Sequence, residues 1–486
     1  MQQRSHIGVT TEATVQSSPT NQSVPSGRFQ VAGITAKGPL NYQGVITSPV
    51  QYVSLFGGRA PYETLYDTVR LYFAEGGAEL HVTRATGPNA TNGSVTLNNT
   101  DETPIGVLTV EVVDPGAHSA DYQAVVSTNA DNTFNLSVID TATNRVIAQF
   151  SRAESPADLV SLAMGNEAII VRDLGETGNP AAGAFNLTAG NDDRAAVDAA
   201  RYGDVLDAHK GIRAGVAVAI PGQPADLIDP VLGAHCEATG KIGLPEIPVG
   251  ATIDQAKAMG AALLGSAYGS HLAMPLYPAI RVPDGNDRTR TVSPVGYAAA
   301  HRSQVHRTRS FAAPVAGPAV KTLWNFQPIV KLDETDINEL NQSGVNAIQS
   351  NQGVPFLNNW SSQSNEPGLF DLNVRDALNN LTVLIEAGLQ ELIWRPNDGR
   401  ATLLAQATAI IDGIMAPLVA GGYLFPSEDG EGSLTDSGYR VEMEDIRTSG
   451  QPAPYDRVQI NIGIKLSPTL RHIHVPIRKT DLRSAL

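Results

Sequence analysis

The chain has 486 residues, 42% of them hydrophobic and 17% charged, with a net charge of −15. That is enough apolar material for two to four packed domains, and the acidic balance argues against a binder that tracks nucleic-acid phosphates. The lone Cys236 excludes an intrachain disulfide framework, and the abundance of Gly (45) and Pro (31) suits many turns and short strands rather than a helical bundle.

Residues 1–27 are polar, with one short strand-like piece in which Ile7 and Val9 alternate. No apolar run reaches the roughly 18 residues of a membrane helix, and the opening "MQQRSHIGVTTEATVQSS" lacks a signal-peptide core. "RFQVAGITAKG" (28–38) predicts a buried strand ending in a turn at Gly38. In "SPVQYVSLFGG" (48–58), Ser48 is a candidate cap and Pro49 a first helical residue, and Gly57 and Gly58 stop the helix. "PYETLYDTVRLYFAEGG" places Tyr62, Leu65, Tyr66, Val69 and Phe73 on one helical face, and "AELHVTRA" alternates as a strand. Gly76 and Gly77 therefore fall between a helix and a strand. A phosphate cradle needs its glycines before a helix N-terminus, so this pair reads as a structural turn.

Residues 88–190 hold 12 acidic and 3 basic residues and no lysine. Short alternating strands at 106–113, 134–140 and 145–150, with one helix in "SPADLVSLAM", predict an inserted β-rich domain. From 191 the pattern becomes α/β. Helices are expected over "DDRAAVDAARYGDVLDAH", 251–267 and the 293–310 region, and in "DETDINELNQSGVNAI" (333–348) a helix followed by a cap at Gly344. Strands are expected over 214–222 and 271–283. The last third predicts two strong helices, 371–393 and 399–422, then strands at 439–445, 457–466 and 472–478.

No chemical signature stands out. "GITAKGP" is not a nucleotide loop, Ser266 in "LGSAYGS" is not in a nucleophile elbow, and no zinc spacing occurs. His472 and His474 share one strand face without a third ligand nearby, and the acidic stretch 427–438 lacks calcium-loop spacing. His301, Arg302, His306, Arg307 and Arg309 read as a basic patch, either facing an acidic partner or simply solvated.

Several blocks, in order, resemble contractile tail sheath proteins. "RSHIGVTTEATVQSSP" is similar to their opening arm strand, "RFQVAGITAKGPLNYQGVITSPVQYVSLFGG" to their first core block, and "YDTVRLYFAEGGAELHVTRATG" to their helix–GG–strand block. "FNLTAGNDD", "SPVGYAAAHRSQVHRTRSFAAPVAGPAV" and "LFDLNVRDALNNLTVLIEAGLQELIWRPND" resemble later blocks. The chain departs at Ala189, where a glycine is usual, and at Arg307 and Arg309, near a usual Asp and Gly. It departs again at Phe356-Leu357-Asn358-Asn359, where Trp-Gly-Ala-Arg is common. The resemblance covers most of the chain outside 88–190.

It implies an α/β (α+β multidomain) chain: a sheath core of mixed sheet with flanking helices (28–87 and 191–345), an inserted outward domain (88–190) and a C-terminal tube-facing α/β domain (346–466). Terminal arms (1–27 and 467–486) would each donate a strand to a neighbour. The expected role is structural and non-enzymatic, without cofactor or metal: a virion tail subunit, assembled in the bacterial host cytoplasm, that contracts to drive a tube through a cell envelope and eject a genome. A phage-derived bacteriocin, another contractile injection particle, an α/β enzyme and an oligomeric binding module are the alternatives. Expected partners are further copies in stacked rings, an inner tube protein, and baseplate and terminator proteins, with neither direct nucleic-acid contact nor membrane insertion. Expected arm contacts are Ile7, Val9, Ile473, Val475, Ile477 and Arg478. They would meet an acidic neighbour surface at Glu442, Glu444 and Asp445, because residues 471–486 carry four basic and one acidic group.

Overall fold

The strand "RFQVAG" has no solvent side, because helices cover both faces of the sheet it centres. The computed structural model describes residues 26–62, 64–213, 215–285, 288–317, 322–323, 326–351, 353–395, 402–428, 434–446 and 457–469. They divide into two compact units, residues 26–380 (with Thr469) and Leu381–Pro468.

The large unit opens with β1 (Arg28–Gly33). Then comes α1 (Pro49–Phe56), where the Ser48 hydroxyl accepts from the Gln51 N–H and Gly57 caps the far end. α2 (Leu65–Ala74) and β2 (Leu80–Arg84) follow. Tyr62 lies ahead of α2 and is partly exposed, although its spacing places it on the helix's apolar face.

Residues 88–190 then form β3 (Ser94–Asn98), β4 (Gly106–Val112), β5 (Tyr122–Thr128), β6 (Phe134–Asp140), β7 (Arg145–Ala153), α3 (Pro156–Ala163), β8 (Ile169–Asp173) and β9 (Gly183–Asn186). They pair as two antiparallel sheets, β3-β4-β8 and β7-β6-β5-β9. Alternate residues of β6, Phe134, Leu136 and Val138, face a core made within this segment. The segment is also tied to β2 and to the loop after β1. The Lys37 ammonium meets Asp140 at 3.0 Å, and the buried Arg84 guanidinium donates to the carbonyls of Gly38 (2.7 Å) and Pro115 (2.8 Å).

The chain returns through α4 (Ala199–Leu206), β10 (Val216–Ala219), α5 (Ala225–Thr239), β11 (Ile242–Gly243), α6 (Ile253–Leu263), β12 (Leu276–Tyr277), β13 (Ile280–Gly285), β14 (Arg288–Val292) and α7 (Val295–Thr308). β15 (Gln327–Pro328), α8 (Glu334–Gln342), β16 (Asn346–Asn351), β17 (Val354–Leu357) and α9 (Leu372–Gln390) complete the series. The central sheet is four-stranded and parallel, in the order β11-β10-β1-β2. Phe29, Val31, Leu80, Val82 and Ala217 point to one face and join the core that includes α2 and α7. The other face is covered by α4 and α5.

Three expectations need correction. The helix over 192–209 is α-helical only over Ala199–Leu206, because the Asp198 carboxylate caps it by accepting from the Arg201 N–H. The strand over 271–283 is two, β12 and β13, parted at Pro278, which has no N–H to give a ladder. α5 is a helix that the sequence reading passes over, and Pro230 lies inside it.

The second unit holds the later turns of α9, then α10 (Thr402–Ala420) and the antiparallel pair β18 (Tyr439–Ile446) and β19 (Arg457–Ile464). α9 and α10 approach closely at Gly388, where a Cβ would lie 2.7 Å from Ile410. α10 lies against β18, with the Tyr439 hydroxyl donating to Asp412 at 2.7 Å. By length and composition alone α10 is apolar enough to cross a membrane, and most of it is not buried within the described structure. A search for uninterrupted apolar runs misses it because Gln406, Thr408 and Asp412 interrupt the sequence.

Candidate assembly elements

Six of the residues expected at subunit contacts, Ile7, Val9, Ile473, Val475, Ile477 and Arg478, lie outside the described residues. The acidic trio is on β18, where Glu442, Glu444 and Asp445 pair with Asn461, Gln459 and Val458 of β19. Glu442 is exposed and forms an ion pair with Arg440 at 2.7 Å on its own strand. The side chains of Glu444 and Asp445 are outside the described set.

β18 and β19 form a sheet of two strands, with eight register pairs. A two-stranded sheet is marginal by itself. Along each outer edge every second residue turns its N–H and C=O away from the partner strand, and such an edge can accept a further extended segment. Among the described residues, the added pairing is local, at the Leu424–Leu466 bridge.

The glycine turns have distinct roles. Gly38 (φ 110°) gives its carbonyl to Arg84, and Gly57 (φ 87°) ends α1. Gly76 has φ 82°, the left-handed region that favours glycine, and its carbonyl accepts from the Arg307 guanidinium at 2.6 Å. Gly77 is needed for space, since a Cβ there would sit 2.4 Å from the Tyr72 ring.

The expected basic patch on 301–309 is corrected by the structure. Arg307 and Arg309 are exposed, but the side chains of His301, Arg302 and His306 are at most 1% exposed. His301 Nε2 is 3.3 Å from the buried Glu75 carboxylate. Arg302 grips Asp376 of α9 and also donates to the carbonyls of Arg28 (3.3 Å) and Gly215 (3.2 Å). His306 Nδ1 is 2.6 Å from the Ser26 hydroxyl oxygen, and that hydroxyl donates to Asn380 Oδ1 at 3.2 Å. Burial by itself would raise the Asp376 carboxyl, but Arg302 and His306 beside it hold it well below the usual carboxylate range. Burial, reinforced by Arg302, pushes the His306 imidazole down.

Ser26, His306 and Asp376 are the residue types of a hydrolytic triad, separated too far in sequence for a motif search to find. Here Arg302 takes both carboxylate oxygens, and His306 Nε2 sits 3.2 Å from Asp376 without hydrogen-bond alignment. The geometry suits a clamp: it fastens the first described residue and the start of β1 to α7 and α9. A separate cleft of about 1080 Å³ in the large unit is lined by apolar side chains together with several amides and the carboxylates Glu334 and Asp371. Among them Asn341, Asn358 and Gln349 bond in a row, at 2.8 and 2.9 Å.

No protein-family model matches the sequence, and no curated protein does. Solved structures do. The sheath tail protein of Listeria innocua matches with a TM-score of 0.60 at 10% identity, over 90% of this chain and 94% of that one. The sheath tail protein of Desulfitobacterium hafniense matches at 0.56 and 15% identity, over 90% and 93%. The chain therefore has the α/β multidomain fold of contractile sheath subunits. The likeness extends to the helical sheath of the anti-feeding prophage in its contracted state, with a TM-score of 0.52 at 15% identity over 98% of this chain and 100% of that one.

Proposed function

We propose that this chain is the structural subunit of a contractile sheath. It polymerises as stacked rings around an inner tube and contracts to drive that tube through a target cell envelope, ejecting a genome where the particle is a phage. The observation that carries this reading is the sheath fold, shared over 90% or more of the chain. Among the described residues the β18–β19 pair has no third strand, and this supports the reading, since such edges suit strands donated by neighbouring copies through the residues around Ile7, Val9 and Ile473–Ile477. So does α10, whose exposed side carries the small residues Ala405, Ala409, Gly413, Ala416 and Ala420 beside the polar Gln406 and Asp412.

Partners on this reading are further copies, an inner tube protein, a baseplate and a terminator. The role is architectural rather than catalytic, and its place is a virion tail put together in the host cytoplasm. The match to the anti-feeding prophage sheath favours a second reading of the particle, a bacteriocin-like or other injection machine built on the same subunit.

Negative-stain microscopy of the purified protein tests the proposal. Long tubes or stacked rings are expected. Small monodisperse particles at all concentrations would overturn it.

A further inference from the structure

The side chains that the central sheet turns toward α4 and α5 are in large part polar. Gln30 of β1 stands beside His81 of β2 in the parallel register, with Thr83 two residues on. Facing them are His209, which follows α4, His235 and Cys236 of α5, and Lys241, all 6% exposed or less. Lys241 Nζ donates to Gln30 Oε1 (2.8 Å), to the His209 carbonyl (2.9 Å) and to His235 Nε2 (3.1 Å). All three partners are neutral acceptors. The Thr83 hydroxyl is 2.9 Å from His209 Nδ1, and the His81 and His209 rings lie 5.5 Å apart. Among the described residues, neither ring nitrogen of His81 has a hydrogen-bond partner.

Of the other charged and titratable groups, Asp207 alone opposes the positive charge near His235, while burial and Lys241 act the other way. Arg28 adds positive charge from β1, and Glu79 acts on Arg28. Asp207 is largely exposed and 3.7 Å from His235 Nδ1, beyond hydrogen-bond reach. Asp229 of α5 is bonded to Gln363, and the Cys236 thiol is fully buried. His271 Nδ1 is 3.1 Å from the Lys241 carbonyl, with Arg375 and Glu237 around it. One ammonium and three imidazoles thus share a buried layer.

An ammonium has only hydrogens to offer, so His235 Nε2 must be the acceptor and that imidazole must be neutral. A proton arriving at Nε2 breaks the bond to Lys241 and sets two positive charges face to face where water cannot screen them. We infer that the His81–His209–His235–Lys241 cluster is an acid-release device: proton uptake by the three imidazoles lifts α4 and α5 from the sheet and loosens β1, the strand next to the N-terminal segment.

Burial, with Lys241 and the neighbouring cations adding to it, pushes His81 and His235 down to about 4 and moves His209 in the same direction. A group whose folded value is depressed stabilises the fold above its unfolded value, here near 6.5. That stability drains away as pH falls toward 4.

Hydrogen–deuterium exchange on the full chain between pH 7 and 4.5, corrected for intrinsic rates, tests this, with circular dichroism as a check on the global fold. Peptides from 199–241 and 28–33 are expected to lose protection first, by about tenfold per pH unit for each proton taken up, while 134–140 in the inserted segment stays protected. Lys241→Gln and His235→Gln should each move that loss to lower pH. His118→Gln, which alters a buried histidine of the inserted segment, should leave the onset where it is. An unchanged onset in both cluster variants overturns the inference, as does simultaneous loss across the large unit. If the variants do not fold, the order of protection loss in the unaltered protein decides the matter.

Discussion

Arg302 meets Asp376 with two N–H···O bonds, Nε to Oδ2 and Nη2 to Oδ1, each 2.7 Å, and both side chains are at most 3% exposed. Removing one partner strands the other as a buried charge. Asp376→Asn is expected to destabilise the large unit by about 3–5 kcal/mol, measured by urea unfolding. A loss near zero would mean that the pair does not hold α9 to α7. Because the Asp376 carboxyl is depressed on folding, its contribution is present above the unfolded carboxyl range near 4 and is lost as pH falls below that range.

Gly77→Ala should cost about 1–3 kcal/mol, since the new methyl must displace the Tyr72 ring. Gly58→Ala is the matched control. Nothing lies within 4 Å of its would-be Cβ, and its φ is not positive. Thermal melts of the two variants should separate clearly, and equal melting temperatures would count against a steric role for Gly77.

Replacing residues 88–190 with a short Gly/Ser linker should leave a soluble remainder, because the segment has its own core. The remainder should still be less stable, by about 1–3 kcal/mol, since the buried Arg84 loses the Pro115 carbonyl. Wholesale aggregation would show that the segment is not separable, and undiminished stability would show that Arg84 finds other partners.

If the C-terminal arm is a donated strand, apolar and backbone contacts should outweigh charge. Exposed ion pairs are worth about 0–1 kcal/mol, and Glu442 is already engaged by Arg440. Val475→Asp should therefore block polymerisation more than Arg483→Ala, and added salt should weaken assembly only modestly. Light scattering reads the ranking directly, and the reverse order would refute strand donation by this arm. Deleting residues 1–20 should likewise leave a folded subunit that sediments only as small species. Tubes of normal length from that deletion would contradict the role given to the N-terminal arm.

Elements with a strict period were legible in the sequence. "FNLSVID" alternates, and β6 follows that alternation residue by residue. Ser48 and Pro49 announced α1. What stayed hidden depends on contacts distant in sequence. "LHVTR" reads as a strand with one wet face, yet all five residues are buried, because α4 and α5 cover the side that carries His81 and Thr83. His301 and Arg302 read as surface residues because charged side chains are usually exposed. Their partners Glu75 and Asp376 lie 226 and 74 positions away. α5 escaped notice because a proline inside a helix removes a backbone bond and reads as a stop.

The position of β1 bears on how the subunit would carry a load. It is an inner strand, bonded to β10 from Arg28 to Val31 and to β2 from Phe29 to Gly33, all in parallel. Tension applied to the N-terminal segment along this strand pulls on both ladders in shear, so their bonds stretch together instead of opening one after another from the end. The clamp from Arg302 to the Arg28 carbonyl bears on the strand's first residue. Pulled in this direction, the sheet would resist through both ladders at once rather than unzip.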